Sequence, residues 1–472
     1  MGKILNVLTN ENNTIFVIEQ NKMRMDSKTL ITWLAERLND LSIRGIALET
    51  TALIRSGAIP VGTQLPPVRE LAQALGVSPA TISGAWGELR RYQVISGRGR
   101  NGVWVSDNKF SARPIRFETV GNFGRHVLAD LTGAVPDPAL LPDLTQALQH
   151  GLHAPELNSY EREPISQALR LAAAKRWPYA PEAFLATNGG YEGLQLTLQT
   201  LILPGSVVAL EDPSSIRILD ILDHIGAHVV PVACDENGPL PSALREALLR
   251  KPAAFIYQPR THATCGVTVS TTRRQELAEL LRPTGTLIIE DDGLGDISSQ
   301  PSASLGGEFP ERTVLIVSYS KSLGPDLRLA VLSSSREIVD QIQAYRNFGA
   351  RWTSRILQAT GAWLLDDPAT MAGVAHAREV YAARRNGLKE ALRLRGVNVA
   401  SRDGLSLWIP VESEQFAMVT LAARGIAVFP GNRFCINRSW QYIRVGIGLL
   451  KEDPAEVAEG IALAATVGNG SA

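Results

Sequence analysis

Ser318-Tyr319-Ser320-Lys321-Ser322-Leu323-Gly324-Pro325-Asp326-Leu327-Arg328 follows directly on the apolar run Val314-Leu315-Ile316-Val317. Such a run reads as a buried strand, which carries the lysine to the edge of a sheet. Hydroxyls precede the lysine, and an arginine lies seven residues after it. A Schiff-base lysine beside a phosphate cradle needs this set: the strand positions the amine, the hydroxyls bond phosphate oxygens, and the arginine neutralises their charge. By itself Ser-Lys reads far more readily as a surface lysine in a loop. The rest of the chain decides between the two.

The chain has 472 residues, enough for more than one domain and a large core, and 45% of them are apolar, a globular composition. Lys+Arg equals Asp+Glu (47 each), so whole-chain charge points to no partner. Cys234, Cys265 and Cys435 are far apart, without CxxC or ligand spacing, which argues against a disulfide scaffold or a metal site and for a reducing, cytoplasmic setting. No apolar run approaches the ~18 residues of a membrane span. Residues 1–28 are too polar for a signal peptide and read as a tail or start-site extension, with Met23 and Met25 as alternative starts.

Charge is unevenly spread. Ile31–Val105 holds eight arginines, no lysine and five acids, and Arg90, Arg91, Arg98 and Arg100 cluster near its end. Residues 107–128 lack a clear period and read as a linker. Beyond them, short apolar runs (Val207–Leu210, Ala254–Tyr257, Leu287–Ile289, Val314–Val317) alternate with helical stretches, the pattern of a mostly parallel sheet covered by helices. From about 367 to 472 a long amphipathic stretch and strand-like runs at Leu405–Ile409 and Tyr442–Val445 suggest a smaller α+β lobe.

Residues 29–106 have the grammar of a DNA-binding head. Thr29–Ser56 reads as a helix pair. A two-turn helix then ends at Gly76, and Ser78 caps the next, with Pro79 in its first position. Leu71, Leu75, Val77, Ile82 and Leu89 form the expected core. This is a helix-turn-helix whose second helix can enter a major groove, with Ser78, Thr81 and Ser83 at its start and Arg69 on the helix before. Ile95–Val105 reads as a hairpin wing, in which Gly102 permits close backbone approach and Arg98 and Arg100 suit phosphates. The stretch LPPVRELAQALGVSPATISGAWGELRRYQVISGRGRNGVWV closely resembles the winged helix-turn-helix of the GntR family. That family often has an arginine where Pro79 stands, so one expected contact is missing.

Residues 129–472 resemble fold-type I aminotransferases, and the two modules together resemble the MocR-type regulators within the GntR family. The implied fold class is an N-terminal α winged helix-turn-helix and a C-terminal α/β fold of the pyridoxal 5′-phosphate (PLP)-dependent transferase type I. The resemblance implies Lys321 as the aldimine lysine, with Ser318, Ser320 and Arg328 on the phosphate. Gly189, Gly190 and Tyr191 would cup that phosphate at a helix start. In Glu290-Asp291-Asp292, one carboxylate would face the pyridine nitrogen; motif position favours Asp291. Tyr160 matches a tyrosine that reaches the partner subunit's phosphate, although Ile165 replaces the glycine usual after the following proline. Arg444 matches the arginine that holds a substrate carboxylate. Three departures stand out. Ser215 replaces the aromatic that stacks on the ring, and Gly293 replaces the tyrosine that bonds the ring hydroxyl. The His-Gln pair is shifted or lost, leaving His262 as a substitute ring contact or a loop residue.

The sequence therefore reads as a regulator that binds operator DNA and PLP or another B6 vitamer, as a homodimer of head-to-tail, domain-swapped form. Weakened ring positioning argues against catalysis and for the vitamin as signal, with vitamin B6 genes as targets. Two alternatives stand beside it: an aminotransferase with an accessory DNA-binding head, and a regulator sensing an amino acid through an external aldimine.

Overall fold

The computed structural model describes residues 27–55, 57–91, 94–97, 102–106, 116, 127–155, 157–161, 163–436 and 440–466. The chain divides into two compact units, Met1–Phe110 and Ser111–Ala472.

The first unit contains α1 (Ser27–Ala35), α2 (Ile43–Arg55), α3 (Val68–Leu75) and α4 (Pro79–Arg91), then a hairpin of β1 (Ile95–Ser96) and β2 (Trp104–Val105). Gly76 takes a left-handed conformation (φ 66°) and ends α3. Ser78 Oγ accepts the Thr81 N–H at 3.1 Å and so caps α4. Such a cap contributes about 1 kcal/mol. Leu71, Leu75, Ile82 and Leu89 are buried together as the spacing predicts, with Val77 packed against them. Trp86, fully buried at the centre of the same cluster, is a core residue that the sequence reading did not name. The 62–65 backbone pairs with 103–105 (Leu65 N–H to Val103 O, 2.8 Å), so the wing has a third edge.

In the second unit β3 (Ala129–Asp130), α5 (Thr145–Gly151) and α6 (Gln167–Ala174) precede an α/β alternation. It comprises β4 (Ala183–Thr187), α7 (Gly190–Leu201), β5 (Val207–Asp212), α8 (Ile216–Ile225), β6 (His228–Asp235), β7 (Gly238–Pro239), α9 (Pro241–Leu249), β8 (Ala254–Tyr257), α10 (Thr271–Leu281), β9 (Leu287–Asp292), β10 (Thr313–Ser318) and β11 (Ala330–Ser334). These strands form one sheet in the order β4-β11-β10-β9-β8-β5-β6-β7. β10, β9, β8, β5 and β6 run parallel; β11 is antiparallel to both neighbours, and β7 is antiparallel to β6.

Side chains alternate across this sheet. Leu185, Leu210, Ile256, Ile289 and Ile316 pack on one face with Leu194, Leu198, Leu219 and Leu222 of α7 and α8. Ala209, Phe255 and Ile288 meet Leu244, Leu277 and Leu281 of α9 and α10 on the other. After α11 (Arg336–Arg346), α12 (Arg355–Asp366) and α13 (Pro368–Arg393) comes a three-stranded sheet. Its strands are β12 (Ser406–Pro410), β14 (Phe429–Pro430) and β15 (Tyr442–Gly446), in the order β12-β15-β14. α14 (Glu414–Ala423), β13 (Ile426–Ala427) and α15 (Pro454–Ala465) complete the unit. β13 pairs in parallel with β3, so the start of the unit is sewn to its C-terminal part. No described helix is long and apolar enough to cross a membrane. Most of residues 107–128, the expected linker, lies outside the described residues; Arg116 within it pairs with Asp220 and Asp223 of α8.

Candidate functional site

In a parallel sheet the loops beyond the carboxyl ends of the strands form the natural ligand crevice. Here they carry Gly189 after β4, Ser215 after β5, Asp291 on β9, and Ser318 and Lys321 at and after β10. The structure thus gathers residues that are more than 100 positions apart in sequence.

The cradle is built on glycine. Gly189 (φ 91°) precedes α7, and a Cβ there would stand 2.7 Å from Arg328 Nη2; one on Gly190 would meet the Ser318 side chain at 3.2 Å. The Gly190 and Tyr191 N–H groups open the helix, where an anion is favoured. Ser318 Oγ and Ser320 Oγ lie 3.0 Å apart. Arg328, itself left-handed (φ 47°, ψ 51°), donates to Asn188 O at 2.8 Å and stays exposed. Backbone strain of this kind in a non-glycine residue collects at ligand sites. From behind, Glu192 accepts from Asn188 N–H and Nδ2 and pairs with buried Arg346 at 3.4 Å, which fixes the turn.

Lys321 Nζ donates to Ala134 O at 2.6 Å. Burial, then the charges of Arg444 and Arg217, pull its pKa down to about 8, toward the free amine a nucleophile requires. The two neighbouring acids are distinct. Asp292 accepts Arg260 Nε (3.0 Å) and Nη2 (2.6 Å) and the Gly295 N–H. Asp291 is 8% exposed and has no hydrogen-bond or ion-pair partner among the described residues. Burial, then the Asp292 charge, pushes its carboxyl up to about 7. A buried carboxylate without a cation invites one, and a protonated ring nitrogen suits it.

Arg444 donates through Nη2 to Thr132 O, and Phe434 and Phe429 pack against its guanidinium, with ring centroids 4.7 and 5.0 Å away; its Nε is buried without a partner. Burial lowers its pKa to about 10. Tyr160 is 80% exposed, set edge-on to Trp352 (6.1 Å), while Arg355 holds the carbonyls of Ser159 and Glu161. It does not join the other site residues within this chain. In the first unit Arg69, Ser78 and Ser83 are exposed and Thr81 is half-buried. Gly102 (φ 81°) faces Gln64 and Trp104 too closely for a side chain. Arg98 and Arg100 lie outside the described residues.

His262 is a loop anchor. It is buried, its Nε2 lies 2.8 Å from Pro213 O, and its Nδ1 accepts from Thr264 N–H at 3.1 Å. Burial drops its pKa to about 4, so the ring is neutral. Through Pro213 O it holds the loop after β5. Three groups were missed by the sequence reading. Arg217 lies with its guanidinium 4.5 Å from the Tyr191 ring centroid. Its signal was available: a cation in the first turn of a helix opposes the helix dipole. The Thr132 and Ala134 carbonyls carry no sequence signal at all.

Residues 43–105 match the family described as bacterial regulatory proteins, gntR family, and residues 129–461 match aminotransferase class I and II. The vitamin B6 salvage pathway transcriptional repressor PtsJ of Salmonella typhimurium is 32% identical over 84% of this chain and 92% of its own length. The pyridoxine biosynthesis transcriptional regulator PdxR of Corynebacterium glutamicum is 26% identical over 80% of this chain and 85% of its own. Among solved structures, kynurenine aminotransferase of Pyrococcus horikoshii superposes with a TM-score of 0.66 at 20% identity, covering 73% of this chain and 95% of the other. The α-aminoadipate aminotransferase LysN of Thermus thermophilus gives 0.65 at 22%, covering 75% and 94%. These two likenesses establish the fold of the second unit. The chain belongs to the MocR-type regulators of the GntR family, in which a winged helix-turn-helix precedes an aminotransferase class I and II domain.

Proposed function

We propose that this protein is a cytoplasmic transcription regulator that binds operator DNA through its first unit and holds PLP in its second as the signal, bonded covalently at Lys321. The residues fit the cofactor: a glycine cradle with Ser318, Ser320 and Arg328 for the phosphate, and the unpartnered Asp291 for the ring nitrogen. When bound, the cofactor supplies an aldehyde carbon for an amine and an electron-withdrawing ring. The chain would hold these firmly at the charged ends and less firmly at the ring hydroxyl, where Gly293 offers nothing. That imbalance favours sensing over turnover.

The observation that carries the sensor reading is the segment after residue 127. Leu131 N–H and Leu131 O are tied to Ala427 and Gly446, and the next carbonyls, Thr132 O and Ala134 O, accept from Arg444 and Lys321. The stretch leading in from the linker therefore feels both cationic ends of the site. The names of PtsJ and PdxR point to vitamin B6 genes as the target. A homodimer accords with the outward display of Tyr160, which would serve a second copy's phosphate site. A second reading, an amino acid as additional effector, is favoured by the retained Arg444 with its partnerless Nε.

The test combines borohydride trapping with DNA binding. PLP-saturated protein, reduced and digested, is expected to carry a pyridoxyl group on Lys321. Affinity for a DNA fragment selected from a random pool is expected to change when PLP is added. A label on another lysine defeats the site assignment. DNA affinity indifferent to PLP defeats the sensor.

A further inference from the structure

Ser215 stands where related enzymes place the ring-stacking aromatic, which makes it look like a plain loss. The structure gives it a partner. Its Oγ lies 2.8 Å from the phenol oxygen of Tyr191, which projects from the first turn of α7. The Tyr191 side chain therefore reaches from the phosphate cradle to the end of β5, the position that an aromatic at 215 would serve. Its surroundings belong to the site on every side. The Arg217 guanidinium lies 4.5 Å from the ring centroid. The charges of Asp291 and Arg444 act on its hydroxyl. Arg444 and Arg217 are also the two cations that act on Lys321. Although its hydroxyl is fixed, the residue keeps 37% of its surface exposed. An aromatic with a satisfied polar tip and an open apolar surface is suited to stacking.

We infer that Tyr191 is the aromatic that packs on the pyridine ring of the bound cofactor, and that Ser215 is the anchor that orients it. The inference rests on PLP as the ligand. The stacking function has moved from the end of β5 to the start of α7, and the serine at 215 is the small residue that leaves room for the tyrosine and bonds it. Tyr191 then has two separate tasks: its backbone N–H serves the phosphate, and its side chain serves the ring. One consequence is unexpected from sequence. Ser215→Tyr in the otherwise unchanged protein does not improve binding, because the Tyr191 phenol already occupies that space.

The experiment is PLP titration by equilibrium dialysis, with circular dichroism in the absorption band of the bound cofactor as a reporter of ring orientation. Tyr191→Leu is expected to raise Kd roughly tenfold, the value of one stacked aromatic pair, and to change the dichroic band. Tyr191→Phe keeps the ring and loses only the bond to Ser215, so its Kd stays within about threefold of the parent. The double variant Tyr191→Leu, Ser215→Tyr is expected to recover most of the lost affinity. Unchanged Kd and band in Tyr191→Leu overturns the proposal, as does equal weakening in Tyr191→Phe and Tyr191→Leu. Parent protein that takes up no PLP overturns this proposal and the cofactor reading together, whereas tight Lys321-linked PLP with an indifferent Tyr191→Leu removes only this one.

Discussion

Asp291 and Asp292 are adjacent, chemically identical and both buried, yet they do different work because of what faces them. Asp292 has Arg260; removing it by Asp292→Ala leaves a buried guanidinium short of its partner, at a cost of about 3 kcal/mol. Thermal unfolding of the ligand-free protein should show that loss. Asp291 has no cationic partner among the described residues, and Asp292, Glu211 and Tyr191 all sense its charge or add to it. Its folded pKa of about 7 lies above the unfolded value, so it contributes stability at low pH that is lost as pH rises toward and through 7. Asp291→Asn should therefore flatten part of the decline in stability between pH 4 and 7 while weakening PLP binding. Glu290, also raised to about 7 by burial, leaves the rest of the slope in place. If Asp291→Asn has the parent's pH profile, the carboxyl is not held protonated by its burial. Lys321 shows the opposite sign. Burial and two arginines favour its neutral form, so PLP attachment should accelerate as pH rises through about 8. Arg217→Met should move that midpoint upward, which absorbance kinetics at several pH values would show.

Two glycines at the site illustrate what an element demands of its residues. Gly189 has φ 91° and sits against Arg328, so Gly189→Ala should cost about 1 kcal/mol of stability and also weaken phosphate binding. Gly293 has ordinary φ, and a Cβ there meets only the Asp291 oxygens at 3.7 Å. Gly293→Ala should be neutral to folding, and Gly293→Tyr, which restores a hydroxyl donor, should tighten PLP. Calorimetric unfolding and PLP titration of the three variants would show the contrast. The same distinction governs what could be read from sequence. Elements announced by local chemistry were legible: the Gly76 and Ser78 caps, the apolar strands β5, β8, β9 and β10, and the lysine at the end of β10. β4, β6 and β11 were not named, since Ala183–Thr187 and Ala330–Ser334 mix small and polar residues and gain their burial from neighbouring strands and from α7 and α11. At the site, residue types were legible and pairings were not. Nothing in the order of residues shows that Asp292 takes Arg260, that His262 is bound to the β5 loop, or that Ser215 bonds Tyr191. Those facts depend on where separate strands end.

At the scale of the whole molecule the question is how a ligand held in the second unit would influence DNA binding by the first. The stretch Ile31–Val105 carries net +3, eight arginines less five acids, too little for strong binding by one head. Two heads joined by a dimer gain affinity only when both sites are engaged at once, so anything that alters head spacing alters operator affinity. The Lys321 bond to Ala134 O is the element most directly exposed to the ligand, because an amine bonded to the cofactor no longer presents the same donor. Lys321→Ala also removes that bond, without any ligand. Its operator affinity in the absence of PLP should therefore resemble that of the PLP-saturated parent and should respond little to added PLP. Arg98→Ala, a change in the wing, should instead weaken DNA binding in both states and reduce the salt dependence by about one unit of slope. Linkage adds a quantitative constraint: if PLP changes operator affinity by some factor, operator must change PLP affinity by the same factor. Two titrations at one salt concentration, operator with and without PLP and PLP with and without operator, should return equal ratios in the parent protein and a ratio near one in Lys321→Ala. A Lys321→Ala protein that binds DNA like the PLP-free parent would show that the carbonyl contact at Ala134 does not transmit the signal, and would turn the test to the Arg444 contact at Thr132.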